Sequence, residues 1–243
     1  MIEINKLYLD DCRNILPLFD NESVDLIVSD IPYRIISGGH NKIPRKDEMS
    51  GIFNRRHYDK KKAVEIKKGK IFKHNEIQFL DWLPEIYRIT KDKAHIYLFV
   101  NDRNLCPLIN NAKSVGLKLL NILIWQKDNA VTNKYYMKNA EFIVLLRKGG
   151  DKYINDMGSK ACFLFPNVRN KQHPTEKPLG LLQNLIRNSS NEGELVVDMF
   201  NGTGNTCLAA KILNRNYVGI EIDEKWHNIA VNRLANGVQK QMF

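Results

Sequence analysis

Apolar positions in this chain gather into short runs, and each run stops at a polar or turn-forming group. Val24-Asp25-Leu26-Ile27-Val28 ends at Ser29-Asp30-Ile31-Pro32-Tyr33. Branched residues over a strand's length, followed by turn chemistry, predict a buried strand. The same logic predicts strands over 6–12, which ends at two acids, and over 94–100, 117–125, 140–146, 194–198 and 217–221. Between them, apolar spacing of three and four predicts helices over 12–19, 76–90, 103–115, 179–188 and 207–214. Asn101 and Asp102 are expected to cap the third of these, Asp223 a last helix to about 235, and Pro84 to kink the second. Strand–helix alternation with continuously apolar strands predicts an α/β fold, a doubly wound, mostly parallel sheet covered on both faces. Such sheets bind ligands beyond the carboxyl ends of their strands, where Asp30 and its turn would lie.

Three stretches break the alternation. Residues 126–139 are polar, contain Tyr135-Tyr136 and are expected to form an extended hairpin loop. Residues 150–172 show little regularity. Residues 34–75 show no sustained apolar period, and a stretch of that length within a compact domain tends to be functional or disordered.

Charge sharpens the picture of that last stretch. Of the 243 residues 43% are hydrophobic and 26% charged, as in ordinary globular proteins, and the net charge is +10. Thirteen Lys and Arg residues stand against four acids between Arg34 and Lys73, which accounts for nearly all of that surplus. Arg34, Arg45, Lys46, Arg55, Arg56, Lys60, Lys61 and Lys62, interleaved with Phe53, Tyr58 and Phe72, suit a nucleic-acid-binding loop; a solvated charge run is the plainer alternative. No apolar run reaches membrane-spanning length and the first residues do not begin a signal peptide, so a cytoplasmic protein is expected. Cys12, Cys106, Cys162 and Cys207 lack metal-ligand spacing, which predicts reduced thiols and no metal site.

Asp198-Met199-Phe200-Asn201-Gly202-Thr203-Gly204 places two glycines between a strand and a helix, where the backbone can turn tightly and approach a ligand closely. A P-loop needs Gly-Lys-Ser/Thr after the last glycine, whereas Asn205-Thr206 follows here. A dinucleotide fingerprint needs a third glycine, which is missing. A nucleoside-type ligand without phosphate remains. Glu221, at the end of the next strand, is placed to accept from both ribose hydroxyls, and S-adenosylmethionine fits these terms.

These motifs together resemble those of amino-group DNA methyltransferases. Asp30-Ile31-Pro32-Tyr33 is similar to their D-P-P-Y catalytic motif, 198–204 to D-x-F-x-G-x-G, and His173-Pro174-Thr175-Glu176-Lys177-Pro178 to H-P-T-x-K-P. The stretches 91–100 and 139–149 resemble the family's middle strands. The catalytic motif precedes the cofactor motif, the order of the circularly permuted β group. The resemblance covers nearly the whole chain apart from 34–75 and about 150–172.

The resemblance implies a site-specific enzyme that uses S-adenosylmethionine to methylate N6 of an adenine flipped out of double-stranded DNA. Asp30 would accept one amino hydrogen and the Ile31 carbonyl the other, while Pro32 stiffens the turn and Tyr33 stacks on the base. On the cofactor side it implies Asp11, Cys12, Asp30, Thr175, Lys177, Asp198, Phe200, Asn201, Gly202, Gly204, Glu221 and Ile222. Thr175 and Lys177 would lie near the methionine carboxylate, and Asp11-Cys12 near the adenine. Ile31 replaces the motif's usual proline, and Asp10 stands where the family has glycine before Asp-Cys. Asp at the first motif position leans towards adenine; N4 of cytosine, or a silent DNA-binding homologue, are the alternatives, with RNA or a protein amide as a further substrate class. Residues 34–75 are the larger target-recognition candidate and 150–172 the smaller, and the family's habit implies a homodimer. Because both halves of the site must meet, strands 24–29 and 194–198 are expected to be neighbours.

Overall fold

A computed structural model describes residues 2–32, 77–132, 135–169, 172 and 175–237. Met1–Ile31 and Gln78–Phe243 belong to one compact unit, and the architecture below is that unit's. Its elements in chain order are β1 (Lys6–Leu9), α1 (Cys12–Ile15), β2 (Val24–Asp30), α2 (Leu83–Ile89), β3 (Thr90–Val100), α3 (Asp102–Ser114), β4 (Lys118–Val131), β5 (Lys138–Arg147), β6 (Cys162–Leu164), α4 (Leu179–Ser189), β7 (Leu195–Asp198), α5 (Asn205–Ile212), β8 (Asn216–Glu221) and α6 (Glu224–Asn236).

The strands form one sheet in the order β1-β8-β7-β2-β3-β5-β4-β6. All neighbours are parallel except at β5, which runs against both β3 and β4. The expected adjacency is present: Leu26 pairs with Val196 and Ile27 with Val197. From β2 the chain moves one way across the sheet to β3, and from β7 the other way to β8. The order therefore reverses between β2 and β7, the place where open α/β sheets leave a crevice for ligands.

Side chains pin this junction at both ends. Asp25 accepts from the Leu195 amide at 2.9 Å and from Lys91 Nζ at 2.6 Å. Ser29 Oγ donates to Asp198 Oδ1 at 2.6 Å. One face of the sheet, with Leu26, Val28, Tyr97, Phe99 and Val196, packs on α4 and α5 through Leu181, Leu185, Cys207 and Leu208. Residues alternate along a strand, so the other face carries Ile27, Ile96 and Leu98, all fully buried.

Several expectations change in detail. The region expected as one helix over 76–90 is a 3-10 turn at Phe79–Asp81 followed by α2. Pro84 lies in the first turn of α2, where its missing N–H costs no hydrogen bond, so it starts a helix and does not kink one. Asn101 alone caps α3, accepting from the Asn104 amide, and Asp102 lies in the first turn. The polar link over 126–139 is largely strand: β4 and β5 run on to Val131 and Lys138. A ribbon wetted on both faces needs no apolar alternation, which is why the pattern hid it. Within 150–172, β6 adds a three-residue edge strand whose one buried side chain is Phe163.

Beneath the sheet's far end lies a closed polar cluster. His95 Nε2 donates to the Lys152 carbonyl at 3.0 Å, since a carbonyl only accepts. Nδ1 therefore accepts from Ser189 Oγ at 2.8 Å, and Ser189 in turn accepts from the Tyr97 hydroxyl at 2.7 Å. Burial pushes the imidazole pKa down and the Tyr97 hydroxyl up to about 12. The folded form thus holds its His95 proton less tightly than the unfolded chain does. Its stabilising effect is present above the unfolded value of about 6.5 and fades as pH falls below it. An NMR titration should find His95 still neutral where an exposed imidazole is half protonated; half protonation at about pH 6.5 would break this account.

Candidate active site

Asp30 ends β2 on the carboxyl edge of the sheet, and Ile31 follows with its side chain buried. The Ile31 side chain packs into the core, so apolar burial fixes this position where the motif's usual proline would fix it by ring geometry. Asp30 Oδ2 accepts from Lys177 Nζ at 2.7 Å. The same ammonium lies 3.1 Å from Glu141 Oε2, bonds the Thr175 carbonyl at 3.3 Å and sits 5.2 Å from the centre of the Phe99 ring. Lys177 is only 6% exposed, so these contacts replace its water. Glu141, opposite Trp125 near the start of β5, also pairs with Lys127. A row of alternating charge, Lys127–Glu141–Lys177–Asp30, thus leads to the turn after β2.

Each carboxylate in this row responds to its surroundings. Burial pushes the Asp30 pKa above the ordinary value, with Lys177 pulling against it. Burial also opposes ionisation of Glu141, but Lys177 and Lys127 outweigh it and bring the pKa down to about 2. Glu141 is therefore an anion throughout the neutral range.

The second half of the site is the loop after β7. Asp198 Oδ1 accepts from Ser29 and from the Phe200 amide at 3.1 Å, and burial raises its pKa to about 6. It holds the loop and ties it to β2. Gly202 and Gly204 have φ of +52° and +82°, left-handed values that favour glycine. A side chain on Gly202 would meet nothing within 4 Å, so its backbone is open to a ligand. Gly204 is the opposite case, since an added Cβ would lie 2.8 Å from the Ala230 Cβ of α6.

Glu221 ends β8 with Oε2 accepting from the Gly202 amide at 2.7 Å and Oε1 from the Asp223 amide at 2.8 Å. Each oxygen keeps a further lone pair for a ligand hydroxyl. Burial raises its pKa. Ile222 follows at 42% exposure, on the rim. β1 pairs with β8 so that Leu9 faces Glu221, which brings the Asp10-Asp11-Cys12 turn beside that carboxylate. Asp11 caps α1 and pairs with Arg13, which lowers its pKa, while burial lifts the Cys12 thiol to about 12. Asn201 is buried, and neither its Oδ1 nor its Nδ2 has a partner among the described residues; the amide lies where a Gly219 side chain would stand.

Some participants carried no signal in the sequence. Trp82 stacks edge-on against Phe200 at 5.8 Å between ring centres, and Phe79 against Trp82 at 6.2 Å. Arg233 of α6 bonds Glu176 Oε1 at 2.8 Å, Thr203 Oγ1 at 3.1 Å and Gln172 Oε1 at 3.1 Å, and also contacts Asn205. Asn205 Nδ2 in turn donates to the Lys177 carbonyl at 2.9 Å. This clasp fastens the Thr175-Glu176-Lys177 segment onto the glycine loop. Lys177, expected near the methionine carboxylate, is paired with Asp30 and Glu141. A carboxylate near the start of an otherwise apolar strand is the one hint that could have marked Glu141. Tyr33, His173, Pro174 and the basic residues Arg34, Arg45, Lys46, Arg55, Arg56, Lys60, Lys61 and Lys62 lie outside the described residues. Among those described, no group of acids, histidines and cysteines could hold a metal ion, and no helix is long and apolar enough to cross a membrane.

Comparison with known proteins bears on the whole chain. A family model described as DNA methylase matches residues 24–163 and 159–232. The type II methyltransferase M2.MboI of Moraxella bovis is 26% identical over 93% of this chain and 86% of its own. M.HinfI of Haemophilus influenzae is 28% identical over 95% and 68%, and M2.DpnII of Streptococcus pneumoniae 27% over 95% and 90%. Among solved structures, the M1.HpyAVI–SAM complex superposes with a TM-score of 0.67 at 21% identity, covering 94% of this chain and 99% of that one. The cytosine-N4-specific PvuII DNA methyltransferase gives 0.72 at 16%, covering 100% and 89%. At such identities these two likenesses establish the fold.

Proposed function

The chain belongs to the DNA methylase family, and from that premise we propose that it methylates the exocyclic N6 of adenine in double-stranded DNA with S-adenosylmethionine. One observation carries the proposal: the turn bearing Asp30 and the loop bearing Gly202 leave adjacent strands on either side of the point where the strand order reverses. The chain's own groups suit this cofactor. The loop after β7 is open at Gly202, carries no lysine for a phosphate, and has Glu221 behind it to take ribose hydroxyls. When bound, the cofactor supplies an electrophilic methyl group on a sulfonium.

The protein's part is acceptance and alignment. An exocyclic amino nitrogen is a poor nucleophile because its lone pair is delocalised into the ring. Asp30 Oδ2 is taken by Lys177, so Oδ1 is left to accept one amino hydrogen and the Ile31 carbonyl the other. Held this way, the nitrogen moves towards tetrahedral geometry and aims its lone pair across the crevice, and positioning supplies most of the acceleration. Tyr33 stacks on the flipped base, a contact worth about 1–3 kcal/mol. Asp at the first motif position supports adenine. The second reading, N4 of cytosine, is favoured by the likeness to the PvuII enzyme. Residues 34–75 clamp the DNA through phosphate contacts, which give affinity and salt dependence, and share in choosing the site. The enzyme works in the cytoplasm.

Labelled methyl transfer to mixed-sequence DNA, RNA and protein tests this, with the modified nucleoside identified. N6-methyladenine in DNA is expected; N4-methylcytosine would select the second reading, and label in RNA or protein alone would overturn both. Replacing 34–75 by a short linker should weaken DNA binding and flatten its salt dependence. Unchanged binding would remove the clamp from the account.

A further inference from the structure

The buried row Lys127–Glu141–Lys177–Asp30 does more than the transfer obviously needs. A single lysine would suffice to keep Asp30 ionised. Instead Lys177 sits between two carboxylates, 2.7 Å from Asp30 and 3.1 Å from Glu141, and Glu141 is held from behind by Lys127. The three residues around Asp30 come from three different places: β5, β4 and the segment before α4. Among the described residues the charged groups facing Asp30 are Lys177, Glu141 and Lys127, with Asp198 at the end of the neighbouring strand.

We propose that Glu141 is a positioning residue for the methyl transfer: by sharing the Lys177 ammonium that keeps Asp30 charged, it leaves Asp30 free enough to accept the amino hydrogen of the base. The inference rests on the proposed function. Two demands on Asp30 conflict. It must stay ionised as the incoming base expels water, which calls for a cation close by. It must also remain a good hydrogen-bond acceptor, and a cation devoted to it alone would draw off that capacity. A second anion on the far side of the cation meets both demands, because it divides the pull of Lys177 without removing it. Glu141 suits the task because its two lysines keep it ionised at every working pH. Lys127 sets how much of Glu141 is left over for Lys177.

The arrangement predicts shifts of opposite sign. With Glu141→Gln a nearby anion is lost and Asp30 becomes the one carboxylate paired with Lys177 among the described residues; both changes favour the Asp30 carboxylate. The acid limb of kcat/KM should move down by about one pH unit. The plateau kcat should drop about tenfold, because a weaker acceptor is a weaker catalyst, with KM for S-adenosylmethionine little changed. With Lys127→Gln, Glu141 is left less neutralised, and the acid limb should move up. The experiment is steady-state methylation of duplex DNA by the full chain from pH 5 to 9, with melting curves for each variant. An unmoved or raised limb in folded Glu141→Gln overturns the proposal. If that variant does not fold, Lys127→Gln decides alone, an upward shift supporting the proposal and an unmoved limb overturning it. Native protein that transfers no methyl to DNA would refute the function itself; native transfer with unmoved limbs refutes only the part given to Glu141.

Discussion

Asp30→Ala lowers the rate of methyl transfer by about 10²–10³-fold while S-adenosylmethionine binding stays within about tenfold of native, the scale expected when one preorganised partner of a reacting group is removed. The split follows from where the residue stands. Asp30 lies on the β2 side of the crevice, whereas Glu221, Gly202 and the clasp through Arg233 lie on the β7–β8 side and keep their contacts without it. Lys177 retains Glu141 as a partner, so the substitution does not strand a buried ammonium. Single-turnover transfer from labelled cofactor, beside calorimetric binding, separates the two effects. Transfer within tenfold of native would remove Asp30 from the chemistry.

The second large effect concerns Gly204. An alanine there must adopt a φ near +82° and place its Cβ 2.8 Å from the Ala230 Cβ and 3.1 Å from the Leu234 Cδ1. Left-handed backbone costs about 1–2 kcal/mol for an L residue, and forcing a methyl into a filled contact about 1–3 kcal/mol more. Gly204→Ala should therefore lose roughly 2–5 kcal/mol and melt several degrees lower, and cofactor affinity should fall as the loop is pushed off α6. Gly202→Ala is the control. Its φ is also positive, so it carries the left-handed cost, but the added methyl meets nothing; it should melt between native and Gly204→Ala and still bind cofactor less well. Equal melting of the two variants would contradict the packing described here.

The strands of the sheet could be read from the chain because they rest on local pattern, and the β2–β7 adjacency followed from requiring the two halves of the site to meet. A branched run ending at Asp30, a second ending at Asp198, and glycines before a helix are contiguous signals. What escaped is long-range. Glu141 looks like a polar flaw at the start of a strand until β5 is seen to lie antiparallel beside β3, which carries it to the same edge as Asp30. Arg233 reads as one more charge on an amphipathic helix until Glu176, fifty-seven residues earlier, folds beneath it. Lys177 reads as a site residue, but spacing alone does not say that two carboxylates, Asp30 and Glu141, converge on it. Pro84 misleads for a local reason: a proline inside an apolar period looks the same whether it interrupts a helix or begins one.

The junction between β2 and β7, fixed by Asp25 at one end and by Ser29 with Asp198 at the other, has a consequence for the length of the methyl's journey. Donor and acceptor loops are rooted on strands one ladder step apart, about 4.8 Å, a spacing set by backbone hydrogen bonds. Loop motion therefore governs how often the base arrives, whereas the gap it must be brought across belongs to the sheet. Warming should speed turnover up to the temperature at which that ladder parts, and catalysis and the ladder should then fail together.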